Sequence, residues 1–212
     1  FNDGLTLKTV ENGVVKSYES EFHSNYAEAA RKAARDSEWK TKGAGARFMG
    51  VGDVYDTDEA SGDISYFNSV DFLKSPDKIV YSITVDQLSG IITKDLTSEK
   101  DNEGHIIHSR ELVFNGAFPD KNGKRLVTCV KDNFVNSHLA VYDIDSSDYM
   151  TVTDGDSVDF DAVFSARNDS LVYFASKGAG RNSRGEFVRY SPSSVYTYDL
   201  FGGDVEEILS DE

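Results

Sequence analysis

The sequence is poor in cysteine, in positive charge and in long apolar runs, and each shortage excludes a class of structure. The single cysteine, Cys129, cannot form an intramolecular disulfide and cannot by itself hold a structural zinc ion. The net charge of -15 repels phosphate groups and no cluster of Lys and Arg offsets it, so we expect no nucleic-acid partner. No stretch approaches the roughly 18 consecutive apolar residues of a membrane-spanning helix, so we expect none.

What is present indicates a folded chain. The 212 residues are 39% hydrophobic and 12% aromatic, which is enough for a buried core and more aromatic than disordered sequences are. The sequence begins with Phe1 instead of Met, so we expect a processed product or a fragment.

One helix is predicted, over residues 25–37. This segment contains strong helix formers and no Gly or Pro, and Tyr26, Ala30 and Ala33 share one stripe. Nearly everything else alternates with a period of two, as strands do. Two such runs flank Asn12-Gly13, which predicts a β-hairpin at the N-terminus.

The remaining strands form three units of similar order. In each, two short strands precede a hairpin whose second strand we expect to be a short, exposed outer edge, as at 91–96. We assign 1–38 to the hairpin and helix, and the units are residues 39–97, 112–154 and 158–210. The drifting spacing with constant strand order is typical of a repeat array whose loops vary in length.

Four-stranded antiparallel units of this kind indicate an all-β fold, a partial β-propeller of about three blades plus the N-terminal hairpin. Stacking such sheets covers their apolar faces and leaves only short edges. A β-sandwich is the structural alternative, since it also needs many short strands, and the repeat favours the propeller.

Two segments resemble the WD-like repeat of TolB-type propellers. In that repeat a Ser-Pro-Asp-Gly-Lys turn precedes an apolar strand, and a later strand ends in Tyr-x-x-Asp followed by Gly-Gly. Residues 118–127 read FPDKNGKRLV and are followed by HLAVYDID at 138–145, while the last unit carries SVYTYDLFGG at 194–203. The resemblance covers roughly the last 140 residues and implies the fold more specifically than the function.

Closed propellers carry four to eight blades, more than the three counted in this sequence. The chain is therefore expected to be part of a longer propeller, or to associate with a second copy or a partner that covers the open faces.

The best candidate for a ligand-binding element is the glycine-rich segment that begins at Lys177. It concentrates positive charge and aromatic rings in an otherwise acidic chain. We expect a mobile loop between two strands of the last unit, and loops of this kind often carry binding residues. The predicted ligand-binding residues are Arg181, Arg184, Phe187, Arg189 and Tyr190.

Acidic turns are candidates for calcium, which binds several converging oxygens. Asp154, Asp156 and Asp159 follow one another in one turn, and a second cluster lies at 53–63. Neither cluster has the EF-hand order, and Asp-rich turns are also ordinary turn chemistry. Calcium is the one cofactor that we consider.

No catalytic residues are predicted. The chain has no Gly-x-Ser-x-Gly motif, and Cys129 lies within a predicted strand, where a thiol is usually inert packing. His105 and His108 are interpreted as part of a charged connector between units, the alternative being a metal site that also uses Glu103 and Glu111.

The resemblance implies a non-catalytic binding or scaffolding propeller in an exported bacterial protein, periplasmic or extracellular. Its ligand would be a protein, a peptide or a glycan. The alternative is the propeller portion of an enzyme, associated with a peptidase or acting as a polysaccharide lyase, with its active site outside this segment.

Overall fold

The computed structural model describes residues 6–20, 65–85, 88–98, 103–131 and 135–210, and all regular structure within these ranges is β-strand. The helix predicted over 25–37 lies outside the described residues. The strands are β1 Thr6–Glu11, β2 Val14–Glu19, β3 Ser65–Phe72, β4 Lys78–Val85, β5 Leu88–Asp95, β6 Glu103–Ser109, β7 Val113–Pro119, β8 Arg125–Lys131, β9 Ser137–Asp143, β10 Asp148–Thr151, β11 Ser157–Phe164, β12 Leu171–Arg181, β13 Phe187–Tyr190, β14 Ser194–Asp199 and β15 Val205–Ser210.

The N-terminal hairpin forms as predicted. Strands β1 and β2 pair antiparallel, and the two turn residues Asn12 and Gly13 have φ angles of 50° and 80°. Both angles are positive, which a tight type I′ turn requires and which Asn-Gly tolerates. Leu7, at the base of the hairpin, is buried against the first blade, so one face of the hairpin is docked.

The other strands form three antiparallel units that confirm the all-β, propeller-like prediction. Blade 1 is the four-stranded sheet β3 to β6, blade 2 contains β7 to β10, and blade 3 contains β11, β12, β14 and β15, with β13 pairing at the far end of β12. One parallel pair, Ser137 of β9 with Val158 of β11, links blades 2 and 3. Buried side chains from consecutive blades share two hydrophobic clusters, one between blades 1 and 2 and one between blades 2 and 3. The blades are thus stacked face to face.

Blade 1 extends past residue 97, where the predicted unit 39–97 ends, and residues 39–64 of that unit lie outside the described ranges. Strand β5 was expected to be an exposed edge, but Ile91 and Ile92 are both fully buried. Adjacent strand residues point to opposite faces, so β5 is covered on both sides. Residues 103–109, interpreted above as a connector, form the outer strand β6 beside it.

A buried polar cluster joins β6 to the interior of blade 1. The Glu103 carboxylate accepts hydrogen bonds from the Tyr81 hydroxyl at 2.5 Å and from the Lys94 ammonium at 3.4 Å, and Ser20 Oγ lies 3.0 Å from the Tyr81 oxygen. Burial, helped by the bond to Glu103, raises the pKa of Tyr81. The alternation pattern of the sequence contains no signal that would have revealed this cluster.

Each blade repeats one turn arrangement. The third strand ends in Asp95, Asp143 or Asp199, whose Oδ1 accepts an N–H from the turn that follows, at 2.9 Å in each blade. Asp199 ends a Tyr-x-x-Asp motif that begins at Tyr196, whereas Asp95 and Asp143 have the same role without a Tyr three residues earlier. A carboxylate suits this role because it satisfies turn amides that have no ladder partner. Residues 75–77, Ser-Pro-Asp, just before β4, also match the family turn, a match that was not predicted.

Small polar side chains connect neighbouring blades. A bulge in β7 leaves the amides of Gly116 and Ala117 outside the regular ladder, and they donate to Ser82 Oγ at 3.2 Å and to Ser69 Oγ at 2.8 Å in blade 1. Buried amides need such partners. In blade 2, Cys129 occupies the position of Ser82, and its sulfur accepts the amide of Ala162 from a bulge in β11.

Candidate ligand-binding site

The segment predicted to be a mobile loop is a regular hairpin. Strand β12 continues to Arg181, and β13 folds back on it with Ala179 opposite Tyr190 and Gly180 opposite Arg189. Gly180 suits this close pairing, because a Cβ at that position would come within 3.0 Å of the Arg189 carbonyl oxygen. We call residues 177–190 the β12–β13 hairpin.

The turn of the hairpin is held by its own side chains. The Asn182 side-chain oxygen accepts the amides of Arg184 at 2.9 Å and Glu186 at 3.0 Å. Gly185 has a φ angle of 78°, which an L-residue adopts only with strain. An Asn side chain that replaces a backbone acceptor in this way gives the turn a defined shape.

An ion pair anchors the hairpin to the loop between blades 2 and 3. Arg181 donates from Nε and Nη2 to the two oxygens of Asp156, at 2.8 Å each, and from Nη1 to the Gly185 carbonyl oxygen at 3.1 Å. The bonds from Arg181, followed by that from Asn136, lower the pKa of Asp156 to about 2. The carboxylate therefore stays ionised at any physiological pH.

A second anchor lies at the base of the hairpin. The Tyr190 hydroxyl donates to the Val135 carbonyl oxygen at 3.2 Å, and the Lys177 ammonium lies 4.3 Å from the centre of the Tyr190 ring and 5.7 Å from that of Phe160. Cation–π contacts of this geometry are attractive. Segments of two blades therefore meet beneath the hairpin and limit its motion.

The structure distributes the five predicted ligand-binding residues between two roles. Arg181 and Tyr190 hold the hairpin in place through the bonds described above. Arg184 and Arg189 are exposed, and neither guanidinium has an ion-pair partner among the described residues. Phe187 is 40% exposed and its neighbour Val188 is 58% exposed. The hairpin thus exposes two positive charges and two apolar side chains, with the exposed Glu186 between Arg184 and Phe187 in sequence.

Of the three residues predicted to bind calcium, Asp154 is exposed and the other two have separate partners. Asp156 pairs with Arg181, while the buried Asp159 accepts hydrogen bonds from the hydroxyls of Thr153 and Ser176. In the part of the chain that the structure describes, no cluster of three or more His, Cys, Asp or Glu residues could hold a metal ion. The second acidic cluster, at 53–63, lies outside that part, and calcium binding stays a prediction.

The other residues considered for catalysis or metal binding, Cys129 and His108, have structural positions that account for them. Burial raises the pKa of Cys129 to about 12, so the thiol stays protonated, and its sulfur accepts a backbone amide as an ordinary core residue would. His108 is exposed on the outer strand β6. Among the described residues, no helix is long and apolar enough to span a membrane.

Comparisons with known proteins bear on the fold. No protein-family model matches the sequence, and no curated protein does. A solved structure assigned as TolB from Agrobacterium tumefaciens superposes with a TM-score of 0.53 at 19% sequence identity. The superposition covers 69% of this chain and 50% of that chain. Our chain thus spans about half the length of that protein.

Two further solved structures superpose less closely. The nidogen/laminin complex gives a TM-score of 0.49 at 13% identity over 69% of this chain and 49% of that one. TolB from Acinetobacter baumannii gives 0.43 at 15% identity over 71% and 44%. Together with the stacked four-stranded blades, the first superposition shows that this chain has a TolB-like β-propeller fold.

Proposed function

We propose that this chain is a non-catalytic binding module of the TolB-like propeller type, and that it binds a protein or peptide through the β12–β13 hairpin. The observation that carries the proposal is the combination of internal anchoring with exposed Arg184, Phe187, Val188 and Arg189. Side chains that only support the fold do not need to be exposed to solvent on an anchored hairpin.

The anchoring favours binding for an energetic reason. A mobile loop must lose conformational freedom when it binds, at about 0.5–1.5 kcal/mol for each flexible side chain that becomes ordered. The backbone of this hairpin is already ordered by Asn182, Arg181 and Tyr190. Arginine and aromatic residues are also those most often found at the energetic centre of protein interfaces.

The position of the hairpin supports the same proposal. The connection after β8, the loop before β11 and the hairpin lie at one end of blades 2 and 3, as the contacts of Asn136 with Asp156 and of Tyr190 with Val135 show. Propellers bind ligands with loops contributed by several blades. A partner docked on the hairpin would therefore reach neighbouring loops as well.

We place the site of action in the periplasm or outside the cell, as the resemblance to exported TolB-type propellers implies. Fractionation of the producing cells tests this location, and recovery of the protein in the cytoplasm would contradict it.

The binding proposal is tested with peptides selected from a random display library on the immobilised chain. Affinities of the enriched peptides are then measured for the wild type, for the double variant R184A/R189A and for R110A/R167A. Arg110 and Arg167 are also exposed arginines but lie outside the hairpin, so this control removes the same charge. We expect selected peptides to lose affinity only for R184A/R189A. Failure to enrich any peptide, or equal losses in both variants, would reject the proposal.

A further inference from the structure

The turn between β14 and β15 carries a phenylalanine that the core does not use. Phe201 is 87% exposed, whereas its neighbour Leu200 packs against the hydrophobic cluster between blades 2 and 3. Among the described residues, no aromatic ring stacks on Phe201 and no Lys or Arg lies over it. A large aromatic side chain that is exposed to this degree is available to another molecule.

The β14–β15 turn, residues 199–204, is held in one shape. Asp199 Oδ1 accepts the Phe201 amide at 2.9 Å, and the Asp199 carbonyl oxygen accepts the Gly203 amide at 2.8 Å. The Leu200 amide donates to the Ser170 carbonyl oxygen at 2.8 Å, which joins the turn to the one before β12. The backbone is therefore ordered before any ligand arrives, and binding costs little of its conformational freedom.

The repeat shows that the fold does not require an aromatic residue at this position. In blade 1 the equivalent residue is Thr97, whose amide donates to Asp95 Oδ1 at 2.9 Å, as the amide of Phe201 does to Asp199. Thr97 is exposed as well. Because a threonine makes the same backbone hydrogen bond, the structure of the turn does not account for the ring of Phe201.

Two carboxylates lie beside the residue that follows Phe201. A Cβ at Gly202 would lie 3.1 Å from Asp204 Oδ2 and 3.8 Å from Asp199 Cγ. Consecutive Cα atoms are about 3.8 Å apart, so the ring and the carboxylates occupy neighbouring positions of one turn. Within the described ranges, no Lys or Arg pairs with Asp199 or Asp204. The turn thus offers an aromatic ring next to negative charge.

This combination restricts the ligand. A purely apolar ligand would take water from the carboxylates without replacing their hydrogen bonds. Anionic ligands, including anionic membrane surfaces, would be repelled, since residues 190–212 contain six acidic residues and no Lys or Arg. Arginine satisfies both features, because its planar guanidinium stacks on aromatic rings and also donates to carboxylates.

We propose that the β14–β15 turn binds an arginine side chain of a partner protein, with the guanidinium stacked on Phe201 and donating to Asp204. This site is separate from the β12–β13 hairpin. The turn contacts Ser170, directly before β12 begins, whereas the hairpin lies at the other end of that strand. The inference therefore does not depend on the function proposed for the hairpin, and either can fail without the other.

The test is an NMR titration of the whole chain with N-acetyl-arginine amide, in which the amide signals of Gly202 and Gly203 report on the turn. N-acetyl-citrulline amide, which has nearly the same shape without the charge, is the control ligand. We expect the arginine compound to shift both signals in a saturable manner, and the citrulline compound to leave them unchanged at the same concentration. N-acetyl-lysine amide should bind more weakly than the arginine compound, because an ammonium lacks the planar fork.

Three variants examine the two parts of the site. Phe201→Thr, which introduces the residue type of blade 1, should weaken binding of the arginine compound about 2- to 5-fold, as expected for an exposed cation–π contact. Asp204→Asn should weaken it by a similar factor. Asp148→Asn removes an exposed carboxylate from the equivalent turn of blade 2 and should have no effect. Equal shifts with citrulline, wild-type affinity in Phe201→Thr, or equal losses in the two Asp variants would overturn the inference.

A dilution series separates a partner protein from a second copy of this chain. The Gly202 and Gly203 signals of the free protein are followed as its concentration changes, for the wild type and for R184A/R189A. The same behaviour in both proteins supports a partner protein. A shift on concentration that disappears in R184A/R189A would show that the arginine comes from a second copy, and that the assignment to a partner protein is wrong.

Discussion

Arg181 and Asp156 are 25 residues apart in sequence, yet the guanidinium donates to both carboxylate oxygens at 2.8 Å. The pair connects the β12–β13 hairpin to the loop that precedes β11. Both side chains are partly exposed, so the pair adds little to global stability, and its effect is to hold a local segment.

Removal of this ion pair should loosen the hairpin without unfolding the blade. For Arg181→Ala we expect the amides of residues 178–190 to exchange with solvent several-fold faster, on the order of 5-fold, while those of β8 and β9 are unchanged. Hydrogen exchange measured by mass spectrometry or NMR gives both values. Lys124→Ala, which removes the exposed pair with Asp145, is the matched control and should leave the hairpin unaffected. Unchanged exchange in Arg181→Ala would show that the ion pair does not anchor the hairpin.

Stability should decline in acid through the turn and hairpin carboxylates. Hydrogen bonds from Thr97 to Asp95, from Ser146 to Asp143 and from Arg181 to Asp156 lower the pKa of each carboxyl, that of Asp156 to about 2. Because the folded pKa lies below the unfolded value, the contribution is complete above about pH 4 and is lost as the pH falls through the folded pKa. The urea concentration at the midpoint of unfolding, measured between pH 6 and pH 2, should decrease as the pH falls. Asp143→Asn should make this decrease smaller. If the midpoint of the variant falls with pH as steeply as that of the wild type, Asp143 does not contribute to the acid sensitivity.

Two threonines that differ in their hydrogen bonds should respond differently to the same substitution. The buried Thr128 Oγ1 has no hydrogen-bond partner among the described residues, whereas Thr84 Oγ1 donates to Ser89 Oγ at 3.2 Å and accepts from Asn68 at 3.3 Å. Thr128→Val should leave the free energy of unfolding unchanged or raise it by about 1 kcal/mol, and Thr84→Val should lower it by about 1–3 kcal/mol. Chemical denaturation of both variants checks the difference. Equal losses would show that the Thr128 hydroxyl is satisfied.

Cys129 should be replaceable by serine but not by valine. Its sulfur accepts the Ala162 amide, as Ser82 Oγ accepts the Gly116 amide one blade earlier. We expect Cys129→Ser to change the free energy of unfolding by less than about 1 kcal/mol, and Cys129→Val to cost about 1–3 kcal/mol because a buried amide loses its acceptor. Ser82→Cys and Ser82→Val form the reciprocal pair. If Cys129→Val is as stable as Cys129→Ser, the sulfur serves only to fill space.

The outward face of blade 3 should drive association of this chain. Val172 and Phe174 pack on blade 2, so the alternating residue Tyr173 points the other way and is 37% exposed, opposite Val163 at 42%. Leu209, on β15, is 64% exposed. We expect concentration-dependent self-association in light scattering, weakened in Tyr173→Lys and unchanged in Lys8→Glu on the distant hairpin. A monomer at all concentrations would reject self-association through this face. A further blade would then be the better candidate to cover it.

Local features of the fold follow from neighbouring residues. Asn12-Gly13 forms the predicted turn because only a few residue types tolerate two successive positive φ angles. The aspartates that end the third strands are equally local, since each bonds to an amide two or three residues later. Such contacts depend on residue order alone, and for this reason the strands of blades 2 and 3 could be predicted well.

Strand β5 shows where this kind of inference fails. A period of two predicts a strand but does not say whether one strand or two lie beside it. Its residues were therefore assigned to an outer edge of the sheet, although β6 pairs with β5 and forms that edge. The burial of Glu103 beside Lys94 and Tyr81 was missed for the same reason.

The candidate site likewise combines features that could and could not be predicted from the sequence. Composition alone selected the hairpin region, because positive charge and aromatic rings are concentrated there in an acidic chain. Only the tertiary structure showed that Arg181 and Tyr190 anchor the hairpin while Arg184 and Arg189 are displayed, and that Asp156 and Asp159 have separate partners. The strands, the turns and the charge of the hairpin could be predicted because they depend on adjacent residues. Folding decided which side chains are paired and which are available, because pairing requires approach within about 3 Å of groups that are distant along the chain.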